Sequence, residues 1–186
     1  ALILWVNFVS DTFPALALGC EKAEKDVLKK PPTESNGHLF SGLVGFNIIF
    51  NGIVQSLLVF SVYFISIYAL KVPYDATITM CFVTLAFIEL FHQFNMRSEE
   101  KSIFQIGVFK NKWVNLSFLL ELILTSVIVL VPLGAVHTAF GITSLGLTEW
   151  LISLAFAFAI VPIMEITKVF IRMFLKNKKK NKKGSK

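Results

Sequence analysis

Trp5-Val6-Asn7-Phe8-Val9-Ser10-Asp11-Thr12-Phe13-Pro14 is an acidic, proline-broken segment inside a run otherwise apolar enough to cross a bilayer. A carboxylate at that depth is costly to hold and therefore marks function. On a helix Asn7, Ser10 and Asp11 stand at i, i+3 and i+4, so an amide oxygen, a hydroxyl and a carboxylate are expected on one face. Pro14 lacks the amide hydrogen that would bond the Ser10 carbonyl, and its ring clashes with that carbonyl. The helix is expected to unwind where these oxygens cluster. Freed carbonyls and oxygen side chains are what a hard cation needs: calcium takes ~6 to 8 oxygens, and broken helices at membrane depth are tolerated where they line such a site. This stretch supplies only part of that shell.

The chain around it has 186 residues, 55% of them hydrophobic, and a mean hydropathy of +0.69, too apolar for a soluble domain of that length. The expected fold class is all-α, a polytopic transmembrane helix bundle. A span needs ~20 apolar residues, and five segments qualify: 1–19 (broken near Pro14), 40–70, 76–96, 113–136 and 148–175, with residues 176–186 a basic tail. Two cysteines, Cys20 and Cys81, offer neither a disulfide framework nor metal-site spacing. The chain starts at Ala1 within an apolar run, with no initiator Met and no basic leader, and reads as the C-terminal piece of something larger.

Orientation follows the basic residues near span ends. Lys22, Lys25, Lys29 and Lys30 fall in the first polar loop, Arg97, Lys101, Lys110 and Lys112 in the second, and Lys168, Arg172 and the run to Lys186 at the end; of the 18 Lys and Arg residues only Lys71 lies on the other side. The C-terminus is thus expected in the cytosol. The terminal basic run fixes topology and attracts anionic lipid at ~1 kcal/mol per residue; its spacing encodes no base readout, and nucleic acid is excluded as a partner.

Leu4-Trp5-Val6-Asn7-Phe8-Val9-Ser10-Asp11, followed by Pro14-Ala15-Leu16-Ala17-Leu18-Gly19, resembles the sixth membrane span of P-type calcium ATPases, of the bacterial type similar to the sarcoplasmic and endoplasmic-reticulum calcium pump. In that family an Asn, a Thr or Ser, and an Asp at these places bind calcium. The resemblance therefore implies a metal site at Asn7, Ser10 and Asp11, with Ser10 replacing the commoner Thr. Proton, magnesium and sodium–potassium pumps spell this span differently, which favours Ca2+ as the transported ion with manganese a companion. The polar stretch Glu21 to His38, with its Pro31-Pro32 pair, resembles the cytosolic loop after the sixth span.

In the third span, Phe87-Ile88-Glu89-Leu90-Phe91-His92-Gln93-Phe94-Asn95-Met96-Arg97-Ser98 resembles the eighth span of these pumps, whose Glu contributes to the calcium site. The resemblance implies Glu89 as a further ligand; the competing reading is a neutral Glu bonded between helices. His92, one turn on and lacking Cys or His companions, reads as packing or support. Asn47, Asn51 and Gln55 of the second span, at i, i+4 and i+8, read as interhelical glue. Ser98 to Lys112 reads as a solvated connection, and Glu121 as a snorkelling or helix-pairing residue. Residues 137–147 form an outer turn, Thr148 the N-cap of the last span, Trp113 and Trp150 interface anchors, and Glu165 with Lys168 an i, i+3 pair.

The chain carries no Asp-Lys-Thr-Gly phosphorylation motif and no nucleotide-binding domain. ATP and Mg2+ would act only through domains outside it, and alone it should be inactive. No catalytic or cofactor-binding residue is assigned. The expected function is the ion-binding and membrane-anchoring part of an ATP-driven calcium export pump in a bacterial plasma membrane, partnered by the N-terminal part of that pump, its first five spans and cytosolic domains. The alternative is a non-catalytic membrane scaffold or regulatory module, which would make Asn7, Ser10 and Asp11 dispensable. A secondary transporter half is disfavoured because no internal repeat is visible.

Overall fold

The computed structural model describes residues 1–22, 42–98, 101–131 and 134–184. Among them the architecture is all-helical, and five helical stretches are long and apolar enough to span a membrane: Leu2–Gly19, Val44–Leu70, Tyr74–Asn95, Lys112–Leu130 and Leu147–Phe174. Together with the family evidence given below, this makes the chain part of a multi-pass integral membrane protein. The double proline and Lys25, Lys29 and Lys30 of the first polar loop, and the tail beyond 184, lie outside the described residues.

The first span is not one helix. A short α1 (Leu2–Trp5) runs into a wide π-type turn at Val6–Ser10, bends at Asp11 and resumes as α2 (Thr12–Gly19). The Asp11 amide donates five residues back, to the Val6 carbonyl at 3.1 Å. The irregular stretch thus lies upstream of Pro14, which sits in the first turn of α2, where a missing N–H leaves no bond unmade.

The second span, α3 (Gly42–Phe64) and a π-type turn (Ile65–Leu70), ends where Lys71 takes left-handed backbone angles, φ 52°. Pro73 then caps α4 (Tyr74–Asn95), the central helix, which packs against the first span, α3, α6 (Lys112–Leu130), α8 (Leu147–Phe158) and α9 (Ile160–Gly184). Its Met80, Val83, Ile88 and Leu90 are fully buried. Phe87 meets Trp150 edge to face at 6.2 Å between ring centroids, and Phe91 meets Phe158 at 5.5 Å, contacts of ~0.5–1.5 kcal/mol each. In lipid such close packing, rather than expulsion of apolar surface from water, holds helices together. Large apolar side chains such as Ile49, Phe60 and Leu119 remain on the outside.

The fourth span stops at Leu130, short of the 136 read from the sequence: Val131 is extended, the conformation imposed on a residue that precedes proline, here Pro132. The stretch expected as an outer turn opens with a short helix, α7 (Gly134–Phe140). In the last span Gly146, not Thr148, caps α8. The helix breaks at Ala159, four residues after Ala155 and three before Pro162, which cannot donate to the Phe158 carbonyl.

Ser98 to Lys112 is more than a solvated connection, though Glu99 and Glu100 lie outside the described residues. Ser102 and Gln105 form a capping box on α5 (Ile103–Ile106), and the Ile103 amide donates to Glu165 Oε1 at 2.9 Å. Arg97, 8% exposed, donates to the carbonyls of Gly107 and Val108 at 2.8 and 2.9 Å and to Glu21. Gly107 has φ 88°, a backbone position that glycine holds without strain. Asn111 caps α6 by accepting the Trp113 and Val114 amides and donates to Glu21 Oε2 at 2.8 Å. The ends of the first, third and fourth spans are thereby tied together.

Candidate cation site

A cavity of about 540 Å³ opens between the first span, α3, α4 and α9. The bend of the first span contributes Ser10, Asp11 and Pro14, α3 contributes Asn47, Asn51 and Gln55, α4 contributes Glu89, His92 and Gln93, and α9 contributes Lys168. The π-type turn decides what the first span shows. One extra residue in the turn rotates the side chains that follow out of strict α-helical register, so Ser10 is buried, Asp11 is exposed and borders the cavity, and Asn7 is exposed and outside the cavity lining. The single oxygen-bearing face expected at i, i+3 and i+4 is therefore divided among the described residues.

Unmet hydrogen-bonding capacity is concentrated here. Ser10 Oγ, Asn47 Oδ1, Asn51 Oδ1, Glu89 Oε2, His92 Nδ1 and Gln93 Oε1 are buried with no partner among the described residues. Native proteins leave few buried polar atoms unmatched, so such a group at one cavity points to a guest. Asp11 and Glu89 are within electrostatic reach of each other, two like charges that a cation would reconcile. Lys168, which shares the cavity lining, is engaged by other groups: its ammonium donates to the Asn95 carbonyl at 2.8 Å and stands 3.9 Å from Glu165 Oε1, the i, i+3 pair read from the sequence.

The donors are oxygens, with His92 the lone ring nitrogen, a set that suits hard cations such as calcium or manganese. Among the described residues no three His, Cys, Asp or Glu converge on one metal position. A complete shell on Asp11 and Glu89 would need neutral oxygens or groups from beyond this chain.

Sequence reasoning passed over two features. Asn47, Asn51 and Gln55 face the cavity rather than serving only as glue between helices; their i, i+4, i+8 spacing was the available signal. Glu121 does not snorkel: it is 1% exposed and lies against Ser10, with Glu89 and Asp11 within electrostatic reach.

Residues 1–170 match the family described as "Cation transporting ATPase, C-terminus". The chain belongs to the cation-transporting ATPase C-terminal family. Calcium-transporting ATPase 1 of Bacillus cereus is 36% identical over 194 residues, covering 96% of this chain and 21% of that protein. A calcium-transporting ATPase of Listeria monocytogenes is 34% identical over 175 residues (94% and 19%), and calcium-transporting ATPase 1 of Lactococcus lactis 30% over 177 (94% and 19%). The chain thus spans about a fifth of the length of these curated relatives. As a member of this family it is a membrane part of a cation pump, in keeping with its five long apolar helices.

Proposed function

We propose that this chain is the ion-binding and membrane-anchoring part of an ATP-driven pump that exports calcium, with manganese a companion ion of similar oxygen preference. One observation carries the proposal: Asp11 and Glu89, on different spans, border the same cavity beside Ser10. Each carboxylate brings the charge that neutral oxygens cannot, and Asn47 and Asn51 offer amide oxygens from the opposite wall. Asn7, exposed beside the bend, would act as a ligand only toward elements supplied by the rest of the pump. The relatives' names and the oxygen donor set both favour calcium over softer ions.

ATP and Mg2+ would bind domains outside this chain, and their chemistry would reach the cavity by moving helices. The bend at Val6–Asp11 suits such motion. A π-type turn replaces the regular i to i−4 ladder by wider i to i−5 bonds such as that from Asp11 to Val6, and such turns recur inside α-helices at functional sites. The C-terminus would face the cytosol of a bacterial plasma membrane, and the N-terminal part of the pump would be the principal partner.

The deciding experiment is Asp11→Asn in the complete pump, reading calcium-dependent phosphorylation by ATP. Loss of phosphorylation at calcium concentrations that saturate the wild type is expected. Unchanged calcium dependence would dismiss the ion-binding reading in favour of a scaffold.

A further inference from the structure

Glu121 stands outside the cavity lining, yet it is the one acidic residue fully buried among those described. Neither of its carboxylate oxygens makes a hydrogen bond of good geometry among the described residues; Ser10 Oγ, 2% exposed, lies against it as a weak donor. Ser117 and Thr125 stand one turn to either side on the same face of α6, 5% and 2% exposed, and their hydroxyls are also unpartnered.

Most buried helix hydroxyls elsewhere in this bundle are satisfied, Thr77 on α4 being an exception. Ser61, Thr79, Thr84, Ser153 and Thr167 each donate to the carbonyl four residues back, at 2.7–2.9 Å. Ser117 and Thr125 have the same option and do not use it. Their oxygens are left for the seam where α6 packs on the first span and α4. Four buried side chains from two spans thus present oxygen alone, with one carboxylate among them. An unpaired carboxylate in that setting is costly unless it takes up a proton or something positive meets it, and the oxygen-rich seam offers a cation that alternative.

We propose that Glu121, with the hydroxyls of Ser10, Ser117 and Thr125, forms a second hard-cation position on the α6 side of the first span, sharing Ser10 with the Asp11–Glu89 cavity. It is a neighbouring position and not one more ligand of the first, because no three acidic, His or Cys side chains converge on one point among the described residues. Its oxygen chemistry suits either the transported divalent ion or a monovalent cation. The inference rests on reading the Asp11–Glu89 cavity as an ion site.

The test uses the complete pump in detergent, and measures equilibrium binding of radioactive calcium without ATP in sodium, potassium or choline chloride. Glu121→Gln keeps the shape and removes the charge. It is expected either to lower the calcium bound per pump or to raise half-saturating calcium about tenfold. With a monovalent occupant it would instead abolish a sodium or potassium dependence that the wild type shows. Thr125→Val should move the same readout in the same direction, by less. Wild-type binding by Glu121→Gln and Thr125→Val in all three salts would overturn the position. Should Glu121→Gln not yield monodisperse pump, Thr125→Val and Ser117→Ala decide alone, and unchanged binding in both overturns it. Asp11→Asn run in parallel separates the two readings: if it too binds calcium normally, the cavity reading has failed; if it loses binding while the α6 variants keep it, only this second position falls.

Discussion

Arg97 grips Glu21 with two parallel bonds, Nε to Oε2 at 2.8 Å and Nη2 to Oε1 at 3.0 Å, and so fastens the end of the first span to the end of α4. The Arg97 side chain is 1% exposed and that of Glu21 21%. Two-point geometry of this kind is specific to arginine.

Arg97→Gln should therefore destabilise the bundle by about 2 kcal/mol, since it strips donors from Glu21 and from the Gly107 and Val108 carbonyls together. Arg97→Lys should recover only part of this, because a lysine cannot form the fork. Thermal unfolding in detergent, arranged as a double-mutant cycle with Glu21→Gln, reads the coupling. Additive losses would show that the pair contributes nothing beyond its members.

The same pair sets a pH dependence. Hydrogen bonding from Arg97 first, and from Asn111 after it, holds the Glu21 carboxyl below its ordinary value of 4.5. The folded state then binds this proton less readily than the unfolded chain. The pair's contribution is complete above about 4.5 and is lost as pH falls through the lower folded value. Unfolding between pH 7 and pH 3 should steepen at the acid end in the wild type, and this component should vanish in Glu21→Gln.

At the cavity, Asp11→Asn should weaken calcium binding to the complete pump by ~100-fold or more, about 2.7 kcal/mol. The substitution keeps an oxygen and the shape and removes only the charge facing a divalent ion. Glu89→Gln should cost less, because Glu89 is supported by neutral oxygens from α3 across the cavity. Equilibrium calcium binding ranks the two, and equal effects would argue that both charges meet one ion equally.

Topology is open to cysteine labelling in intact cells. With Cys20 and Cys81 replaced, single cysteines between Lys71 and Asp75 should react with an impermeant reagent from outside, whereas those at Lys110 and Lys178 should not. Reaction at 178 without permeabilisation would invert the orientation.

The fragment alone should insert into a membrane and yet bind calcium poorly, with no binding at micromolar concentration. Two carboxylates on a cavity lined by the first span, α3, α4 and α9 do not complete a shell of ~6 to 8 oxygens. Micromolar affinity of the purified chain would show that the described oxygens suffice.

The five spans could be read from the sequence because hydrophobic length is a one-dimensional property: ~20 apolar residues bridge the hydrocarbon wherever they lie in the fold. Proline placed a break in the first span for an equally local reason, the loss of a donor, although the irregular turn came upstream at Val6–Ser10. What only the tertiary structure decided is which side chains meet. The π-type turn separates Asn7 from Ser10, and no residue in it announces that turn. Asn47, Asn51 and Gln55 read as glue until α3 was seen to face Asp11 and Glu89 across a cavity. Arg97 looked like one more topogenic charge, and its grip on Glu21 links positions 76 residues apart. For Glu121 the sequence left snorkelling and helix pairing both open, and only the packing of α6 against the first span decided for burial between helices. Polarity says what a side chain needs. Only the packing of helices supplies or withholds it, and that depends on faces and distances between segments remote in the chain.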